Sequence, residues 1–489
     1  MGEKRSIHNI QLSILGIPLM GEGIAMLLCL WPSLRFSDGN AVGILASSLL
    51  TLAAGCSLHF VRRRRDLSAD GPIRQPYLMV TLVWMVLSFF GTLPFLFSKV
   101  PPSFTDAFFE SMSGLTSTGA TIFPDVEILP PSLLLWRSVS QWLGGFGIIL
   151  LVLAIVPKLG LNKYSLYTAE ASSADNTGKT SSSTRSMVQQ TLSVYVALTL
   201  CFVIMLRLTR MSLWEAVNIT FTNISTGGFS IYSDSISRFS PVQQYILAAS
   251  MFVGGVNFAL LYNFFSLKWS KIRHKLDQFG FYVAVILVSV LFVVLVLRFH
   301  DGLDWSVAVR YGTVQTLSVL TTTGSVVADT NLWWTPVLFL FLILCLCGGM
   351  AGSTTGGIKI MRVLILIRNA LRILKNRLHP HAYNPVRLNG RPVADHIITN
   401  VMVIFVVFVI AILVAIQLML VFGVNATEAV GSVFGCLTGY GPGLGTCGGF
   451  GSYAAFPLLA KWLCCFLMLL GRLECLTVVI LFIPAIWRK

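Results

Sequence analysis

The sequence predicts an all-α polytopic membrane protein, with four pseudo-symmetric helix–pore half-helix–helix repeats around one pore and two extra N-terminal transmembrane helices. Three observations support this fold class. Of the 489 residues, 55% are hydrophobic and only 11% are charged, whereas soluble domains carry about 25% charged residues. Several apolar runs approach the roughly 20 residues that cross a bilayer. Four short segments rich in glycine and hydroxyl side chains lie between these runs.

Charged residues alternate along the chain in a way that predicts the membrane topology. Of the 35 Lys and Arg, 25 lie at the termini and in segments 62–74, 158–185, 268–275 and 359–391, whereas 11 of the 20 acids lie in the intervening connections. Because short loops rich in Lys and Arg remain in the cytoplasm, we expect both termini inside and the glycine segments open to the outside. The net charge of +15 therefore indicates a lipid bilayer, and no nucleic acid, as a partner.

The glycine segments, called loops 1 to 4, belong to an internal repeat. They are residues 116–121, 225–230, 321–326 and 438–443. The loops align on Gly119, Gly228, Gly324 and Gly441. The residues thirteen positions earlier are Asp106, Glu215, Tyr311 and Glu428. The stretch between is about 10 helical residues, or about 15 Å, which is half a bilayer. Each repeat therefore predicts a re-entrant half-helix that leads into its loop.

The repeat also sets the predicted domain boundaries. Residues 1–65 form an N-terminal transmembrane helix pair, and the four pore repeats cover 66–189, 190–277, 278–395 and 396–489. This division gives ten expected spans, an even number that agrees with both termini on one side. Backbone that is not helical at membrane depth must be buried or line a water-filled cavity, so the four loops are expected to meet at one axial pore.

The chemistry of the loops predicts a cation filter. The C-terminal end of a helix carries about half a negative charge, and rings of backbone carbonyls select cations. The loops contain no carboxylate, which divalent ions prefer, so K⁺ is the expected ion and Na⁺ the second choice. The expected filter consists of one triplet from each loop: Ser117, Thr118 and Gly119; Thr226, Gly227 and Gly228; Thr322, Thr323 and Gly324; and Gly439, Tyr440 and Gly441. In each triplet the first two residues are the expected K⁺ ligands.

Acidic residues around the half-helices have two interpretations. Those upstream of the glycines are expected to cap the half-helix N-termini. Glu110, Asp125 and Glu127 fit cation attraction in an outer vestibule better, and ordinary solvated loop charges remain an alternative for them.

A gate is predicted below the filter. The run Gly348, Gly349, Gly352, Ser353, Thr354, Thr355, Gly356 and Gly357 disfavours helix, because each interior glycine costs about 1 kcal/mol against alanine. It predicts a loop within the membrane, with a cytoplasmic turn as the alternative. Arg472 stands where the other repeats have a second glycine, and an ionisable residue inside a span is a functional candidate. Its alternatives are an ion pair with Glu474 or a bond to a carbonyl. Lys359 is expected to be a cytoplasmic anchor.

These motifs resemble the Trk/Ktr/HKT superfamily of K⁺ transport proteins. The resemblance rests on Thr-Gly-Ala-Thr, Ser-Thr-Gly-Gly-Phe-Ser, Thr-Thr-Thr-Gly and Gly-Tyr-Gly-Pro-Gly in the four loops. The run from Gly348 to Lys359 and the ending Gly-Arg-Leu-Glu at 471–474 are similar to the bacterial TrkH/TrkG branch. The resemblance implies K⁺ uptake across the bacterial inner membrane, a homodimer, and a cytoplasmic TrkA-like ring that binds nucleotide. This chain has no nucleotide-binding motif of its own, so its only expected bound species is K⁺.

Other functions remain to be separated from this one. An inverted-repeat transporter of another solute would have two broken helices at the midplane, not four equivalent loops, whereas Na⁺-coupled or H⁺-coupled cation symport stays open. No paired carboxylates, His cluster or nucleophile motif predicts an enzyme. The ten cysteines give no disulfide framework, and whether Cys436 and Cys447 form a bridge stays open.

Overall fold

The computed structural model describes residues 2–60, 74–98, 100, 103–154, 180–267, 276–379 and 384–484. Within the described residues the chain is predominantly helical, as the sequence predicts. The N-terminal part contains α1 (Gly2–Leu28), α2 (Leu30–Phe36) and α3 (Ala41–Phe60). Helices α1 and α3 approach closely at Gly55, where an added Cβ would lie 2.9 Å from the backbone nitrogen of Met20. Small residues at such contacts let helices pack tightly in a membrane.

The helices that fall within the four predicted repeats follow in order along the chain. The first contains α4 (Arg74–Phe90), α5 (Leu93–Ser98), α6 (Phe104–Leu115) and α7 (Pro131–Ala154). The second contains α8 (Thr180–Leu208), α9 (Leu213–Ile224), α10 (Pro241–Gly254) and α11 (Phe258–Phe265). The third contains α12 (Leu276–Phe299), α13 (Trp305–Leu320), α14 (Thr335–Cys347) and α15 (Ile360–Leu378). The fourth contains α16 (Asp395–Val421), α17 (Ala426–Thr438), α18 (Leu458–Arg472) and α19 (Cys475–Val479).

The half-helices are α6, α9, α13 and α17. They have 12, 12, 16 and 13 residues, or about 18 to 24 Å at 1.5 Å per residue, too short to cross the hydrocarbon core. Serine caps begin two of them: the hydroxyls of Ser103 and Ser212 accept the N–H groups of Asp106 and Glu215. Glu215 returns a bond to Ser212 and completes a capping box. The aligned acids thus lie in the first helical turn, three residues after the cap itself.

Two helices bend sharply where the sequence predicted straight spans. Helices α10 and α11 meet at 105°, and α18 meets the segment Cys475–Phe482 at 114°. Six described helices are individually long and apolar enough to cross a membrane, or eight when each bent pair counts as one span. The other two of the ten expected spans are α7, whose last residues are described by backbone only, and α14, an apolar helix of 13 residues.

A short hairpin on the expected cytoplasmic side is the other unexpected element. Strands β1 (Arg387–Leu388) and β2 (Arg391–Pro392) pair in antiparallel fashion. Asn389 and Gly390 connect them with φ of 51° and 78°, values typical of the type I′ turn that Asn-Gly favours. The remaining helices enclose one main apolar core, and the half-helices lie inside it. That arrangement holds loops 1 to 4 at the centre of the molecule.

Candidate functional site

Each half-helix ends in the same backbone turn. The residue two positions before the aligned glycine is left-handed, with φ of 53°, 53°, 51° and 74° at Ser117, Thr226, Thr322 and Gly439. The aligned glycine is left-handed again, with φ of 85°, 75°, 82° and 91° at Gly119, Gly228, Gly324 and Gly441. An L side chain adopts this region at a cost of about 1–2 kcal/mol. Its recurrence at the same two positions shows that the four loops share one local geometry.

The residue between these two positions closes the turn. Its N–H donates to the carbonyl five residues earlier, in the last turn of the half-helix. The N···O distances are 2.9 Å from Thr118 to Ser113, 2.8 Å from Gly227 to Thr222, 2.8 Å from Thr323 to Ser318 and 3.0 Å from Tyr440 to Gly435. This is the long bond of a Schellman-type cap. It satisfies a carbonyl of the half-helix and leaves the carbonyls of the loops for other partners.

The four loops contact one another in a closed ring. An ideal Cβ on each aligned glycine would collide with the carbonyl oxygen of the residue just before the aligned glycine of the next loop. The colliding pairs are Gly119 with Gly227, Gly228 with Thr323, Gly324 with Tyr440, and Gly441 with Thr118. Because every one of these separations is under 3.0 Å, only glycine fits. The last pair returns to loop 1, so the loops enclose a single axis.

A cleft opens on one side of this ring. Its volume is about 60 Å³, and all four aligned glycines line it together with residues that follow the loops in sequence. The predicted filter residues of all four loops are thus brought together. The hydroxyl-bearing members Ser117, Thr118, Thr226, Thr322 and Thr323 are buried, so the ring is a packed structure and not a set of surface turns.

Glu110 does not lie in an outer vestibule, contrary to the sequence interpretation. It is fully buried, and one oxygen lies 2.7 Å from Nε of the buried Arg137 on α7. The same carboxylate accepts the Thr121 hydroxyl and the Ile122 N–H at 3.0 Å each. Arg137 also donates to the Ser230 carbonyl at 2.7 Å. The Glu110–Arg137 pair therefore links Thr121 of loop 1 to Ser230 of loop 2. Because the Glu110 carboxylate is buried in this pair, it is not available to attract ions from solution.

Asp125 and Glu127, by contrast, are exposed after loop 1. Asp125 accepts the Ser233 hydroxyl at 2.8 Å, and this bond, with the N–H of Glu127, lowers the pKa of Asp125. Glu127 forms an exposed ion pair with Arg238 at 2.8 Å. These contacts join the connection after loop 1 to the connection after loop 2. Exposed ion pairs contribute little stability, so the contribution of this link to the stability of the fold is small.

The Gly-rich segment, residues 348–357, lies directly against the half-helix ends. It separates α14 from α15 within the fold, as predicted. The N–H of Gly356 donates to the Thr322 hydroxyl at 2.7 Å, and that of Gly357 donates to the Thr438 carbonyl at 2.9 Å. The Thr226 hydroxyl donates to that of Thr354 at 3.2 Å. The segment is therefore bonded to the first or second residue of loops 2, 3 and 4.

The same segment is also tied to the bend of the second repeat and to itself. The N–H of Met350 donates to the Gly255 carbonyl at 2.9 Å, and that of Phe258 donates to the Gly352 carbonyl at 3.1 Å. Within the segment, the Ser353 and Thr355 hydroxyls lie 2.8 Å apart, and the Gly349 N–H donates to Thr355. Its hydrogen-bonding groups therefore find partners within the protein, which suits backbone that is not helical at membrane depth.

Arg472 joins the segment to the first repeat. It is buried at the end of α18, and its guanidinium donates to the Thr354 carbonyl at 2.9 Å and to the Gly144 carbonyl at 2.7 Å. These bonds to carbonyls are the second of the two alternatives that the sequence left open for Arg472, whereas Glu474 pairs with Arg362 at 2.8 Å. The two predicted gate elements, the Gly-rich segment and Arg472, are therefore in direct contact.

Lys359 differs from the expected cytoplasmic anchor. Its side chain is buried and folds back onto Thr355, contacting the carbonyl and the hydroxyl of that residue. The sequence position next to a basic helix suggested solvent. The backbone at Lys359 is left-handed, with φ of 77°, and this turns the side chain into the segment instead.

Several supporting residues escaped the sequence analysis. Arg137 and Gln141 on α7 contact loop 2, and the Tyr453 hydroxyl donates to the Gly441 carbonyl of loop 4 at 2.8 Å. A polar residue on an otherwise apolar span was an available signal for the first two. Cys436 and Cys447 are buried free thiols, so the bridge considered for loop 4 is not formed in this structure.

The fold and the ring define a multi-pass membrane protein of the cation-transport class. A family model described as TrkH, a cation transport protein, matches residues 42–489. The Trk system potassium uptake protein TrkH of Salmonella typhimurium is 34% identical over 462 residues, covering 94% of each chain. TrkI of Halomonas elongata is 33% identical, covering 98% of this chain and 96% of its own.

A solved structure agrees with these relatives. The crystal structure of the potassium transporter TrkH from Vibrio parahaemolyticus aligns with a TM-score of 0.87 at 30% identity, covering 98% of this chain and all of the other. The chain belongs to the TrkH cation transport family. The resemblance of the loops, the Gly-rich segment and the ending at 471–474 is confirmed at this level, and the family is one of transporters rather than enzymes.

Proposed function

We propose that this chain is the K⁺-conducting membrane subunit of a Trk-type potassium uptake system in the bacterial inner membrane, with both termini in the cytoplasm. The observation that carries the proposal is the closed ring of four loops, in which equivalent carbonyls follow one another around one axis. Carbonyl dipoles without formal charge replace the hydration shell of a weakly hydrated monovalent ion. The names of the relatives, which are potassium uptake proteins, support the same ion.

The filter is formed by the triplets around the aligned glycines. The backbone carbonyls of Ser117, Thr118, Thr226, Gly227, Thr322, Thr323, Gly439 and Tyr440 bind K⁺, and the aligned glycines allow the loops to approach. The C-terminal ends of four half-helices add partial negative charge beneath them. The absence of carboxylates from the loops favours K⁺ over a divalent ion.

The Gly-rich segment and Arg472 form the gate. The hydrogen bonds from the segment to Thr322 and Thr438 hold it against the half-helix ends on the side opposite the cleft, where it blocks the path of an ion leaving the filter. Arg472 adds a positive charge that repels K⁺ and anchors the segment through Thr354. Opening requires that these bonds be exchanged for others.

Control comes from outside the chain. A TrkA-like cytoplasmic ring that binds nucleotide is the proposed regulator, and the working form is a homodimer. The basic helix α15 provides exposed cationic and apolar side chains for docking. The basic segment 158–185 is a second proposed docking segment, and it lies for the most part outside the described residues.

Complementation tests the proposal. The chain, expressed with its regulatory subunit in a bacterium that lacks K⁺ uptake, should restore growth at low external K⁺. Replacement of Gly119, Gly228, Gly324 or Gly441 by Ser should abolish this rescue, because each Cβ meets the next loop. Gly280, whose Cβ would meet nothing within 4 Å, provides the matched control, since Gly280→Ser should rescue normally. Failure of the intact chain to take up K⁺ or Rb⁺ would contradict the proposal.

A further inference from the structure

Gln141 is a buried polar residue that contacts the ring and has no counterpart in the other repeats. It lies on α7, three residues before the first glycine of the pair Gly144-Gly145. The aligned positions in the second, third and fourth repeats are Met251, Cys345 and Met468. All four side chains are buried, so three repeats have an apolar or weakly polar group where the first has an amide.

The amide of Gln141 bridges the two sides of the aligned glycine of loop 2. Its Nε2 donates to the Gly227 carbonyl at 2.8 Å, and its Oε1 accepts the N–H of Phe229 at 3.0 Å. The hydrogen-bond chemistry fixes the amide orientation, because a reversed amide would face donor to donor and acceptor to acceptor. Gln141 therefore clamps loop 2 on both sides of Gly228.

The clamped carbonyl is a member of the ring. Gly227 is the residue whose oxygen faces Gly119 of loop 1. The backbone carbonyl of Gln141 also accepts the Ser117 hydroxyl at 3.2 Å. One residue thus sets the position of loop 1 through its backbone and of loop 2 through its side chain. Among the described residues, no hydrogen bond reaches the equivalent carbonyls of Thr118, Thr323 or Tyr440.

We propose that Gln141 is a positioning residue that sets ion selectivity by holding the Gly227 carbonyl in the ring. The proposal rests on the proposed K⁺-conducting function. A carbonyl that keeps a fixed direction gives the ring one size, and selectivity depends on the number and field strength of the carbonyls that face the ion. Without the amide, the Gly227 carbonyl loses its bond from Gln141, and the following peptide loses the bond from the Phe229 N–H. The longer bond of 3.3 Å from the Gly228 N–H to the Thr222 carbonyl is retained, so the Gly227 carbonyl is held less firmly. The ring then adapts to a smaller ion, and Na⁺ is rejected less well.

The test compares two buried glutamines by measuring K⁺ and Na⁺ uptake separately in liposomes that contain the full-length chain together with its regulatory subunit. Gln141→Met, which installs the residue of the second and fourth repeats, should lower the ratio of K⁺ to Na⁺ uptake about tenfold, within the effect of losing a buried hydrogen bond. Gln244→Met is the control. Gln244 is also buried, but its amide donates to carbonyls of the outer connection at Ile236, Ser237 and Phe239, so the ratio should not change.

A second variant separates positioning from mere packing. Gln141→Glu keeps the shape, and its protonated form can still donate to the Gly227 carbonyl, whereas its carboxylate repels that oxygen. The uptake ratio of this variant should therefore fall as pH rises, against the baseline of the wild-type chain. The wild-type chain has the same ionisable groups near this position: Glu110 and Arg137, which pair with each other, and Arg472, which donates to Gly144. Any pH dependence that these groups cause is therefore present in both chains.

The outcomes are distinguishable. No K⁺ uptake by the wild-type chain would remove the proposed function itself. Wild-type uptake with an unchanged ratio in Gln141→Met, or an equal change in Gln244→Met, would overturn only the role of Gln141. If Gln141→Met does not accumulate in the membrane, Gln141→Glu carries the test, and a ratio that does not depend on pH overturns the proposal.

Discussion

Replacing Arg472 by Ala should open the pore in the absence of any regulator. In the structure its guanidinium donates to the Thr354 carbonyl of the Gly-rich segment at 2.9 Å and to the Gly144 carbonyl of the first repeat at 2.7 Å. Only the first of these has to break when the segment moves away from α18. The substitution removes that bond and the positive charge together.

The magnitude is worked from the bond to the Thr354 carbonyl. A hydrogen bond to a charged group contributes about 1.5–3 kcal/mol. Taking about 2 kcal/mol, and 1.4 kcal/mol per factor of ten, the ratio of open to closed pores rises about 30-fold. Loss of the positive charge adds to this, because repulsion of K⁺ no longer opposes its passage.

The assay is Rb⁺ uptake into liposomes that contain the purified chain alone. Arg472→Lys keeps a positive charge on a flexible stem and should give an intermediate rise. Arg368→Ala is the matched control, because Arg368 also bonds a carbonyl and pairs with Asp277 but is about one-third exposed on α15. An Arg472→Ala chain that is folded and inserted like the wild type, with the same basal uptake, would refute the gating role.

The remaining predictions concern stability, measured as the melting temperature of the purified chain in detergent. Arg137→Met should cost about 3–5 kcal/mol, because it leaves the buried Glu110 without its cation, and adding Glu110→Gln should recover much of the loss; equal melting temperatures for the single and double variants would contradict this. Glu22 is buried in α1 and, within the described residues, neither of its side-chain oxygens has a hydrogen-bond partner. Glu22→Met should therefore stabilise the fold by about 1–3 kcal/mol, and a clearly lower melting temperature would contradict the view that this carboxyl destabilises the chain. Partial burial acts to raise the pKa of Asp38, but hydrogen bonds from neighbouring serine and asparagine residues outweigh it and hold that pKa below its ordinary value. A lowered pKa gives stability that is complete above the unfolded value of about 3.9 and is lost as pH falls, so acidification below about pH 4 should lower the melting temperature of the wild type more than that of Asp38→Asn, and parallel curves would contradict it.

The helical fold and the alignment of the loops were accessible from the sequence for a physical reason. A chain in lipid must satisfy its backbone internally, so long apolar runs become helices. Only glycine tolerates both the left-handed backbone and the contact with the next loop, so the aligned glycines mark the ring wherever they occur. These two constraints act locally on residue type, and a single sequence therefore reveals them.

Tertiary partners were not accessible in the same way. Glu110 lies 27 residues from Arg137, and nothing in that spacing distinguishes a buried pair from an ion-attracting carboxylate. The bend after Gly254 has no proline to signal it, and the straight α7 carries an equivalent pair of glycines. The Asn389-Gly390 hairpin did have a recognised signal, which a search for apolar periodicity passes over because its strands have two residues each.

The repeats agree in the ring and differ beneath it, and this division separates selectivity from gating. A selective site needs equivalent carbonyls around an ion, so the turn at Gly119 recurs in every loop. Closure needs only one obstacle, and the Gly-rich segment and Arg472 each occur once. Changes in the shared turn should therefore alter which ion passes, whereas changes in the single-copy elements should alter whether any ion passes. Gln141 is the informative exception, because it occurs once but contacts the ring, and its substitution should change the ion preference without opening the gate.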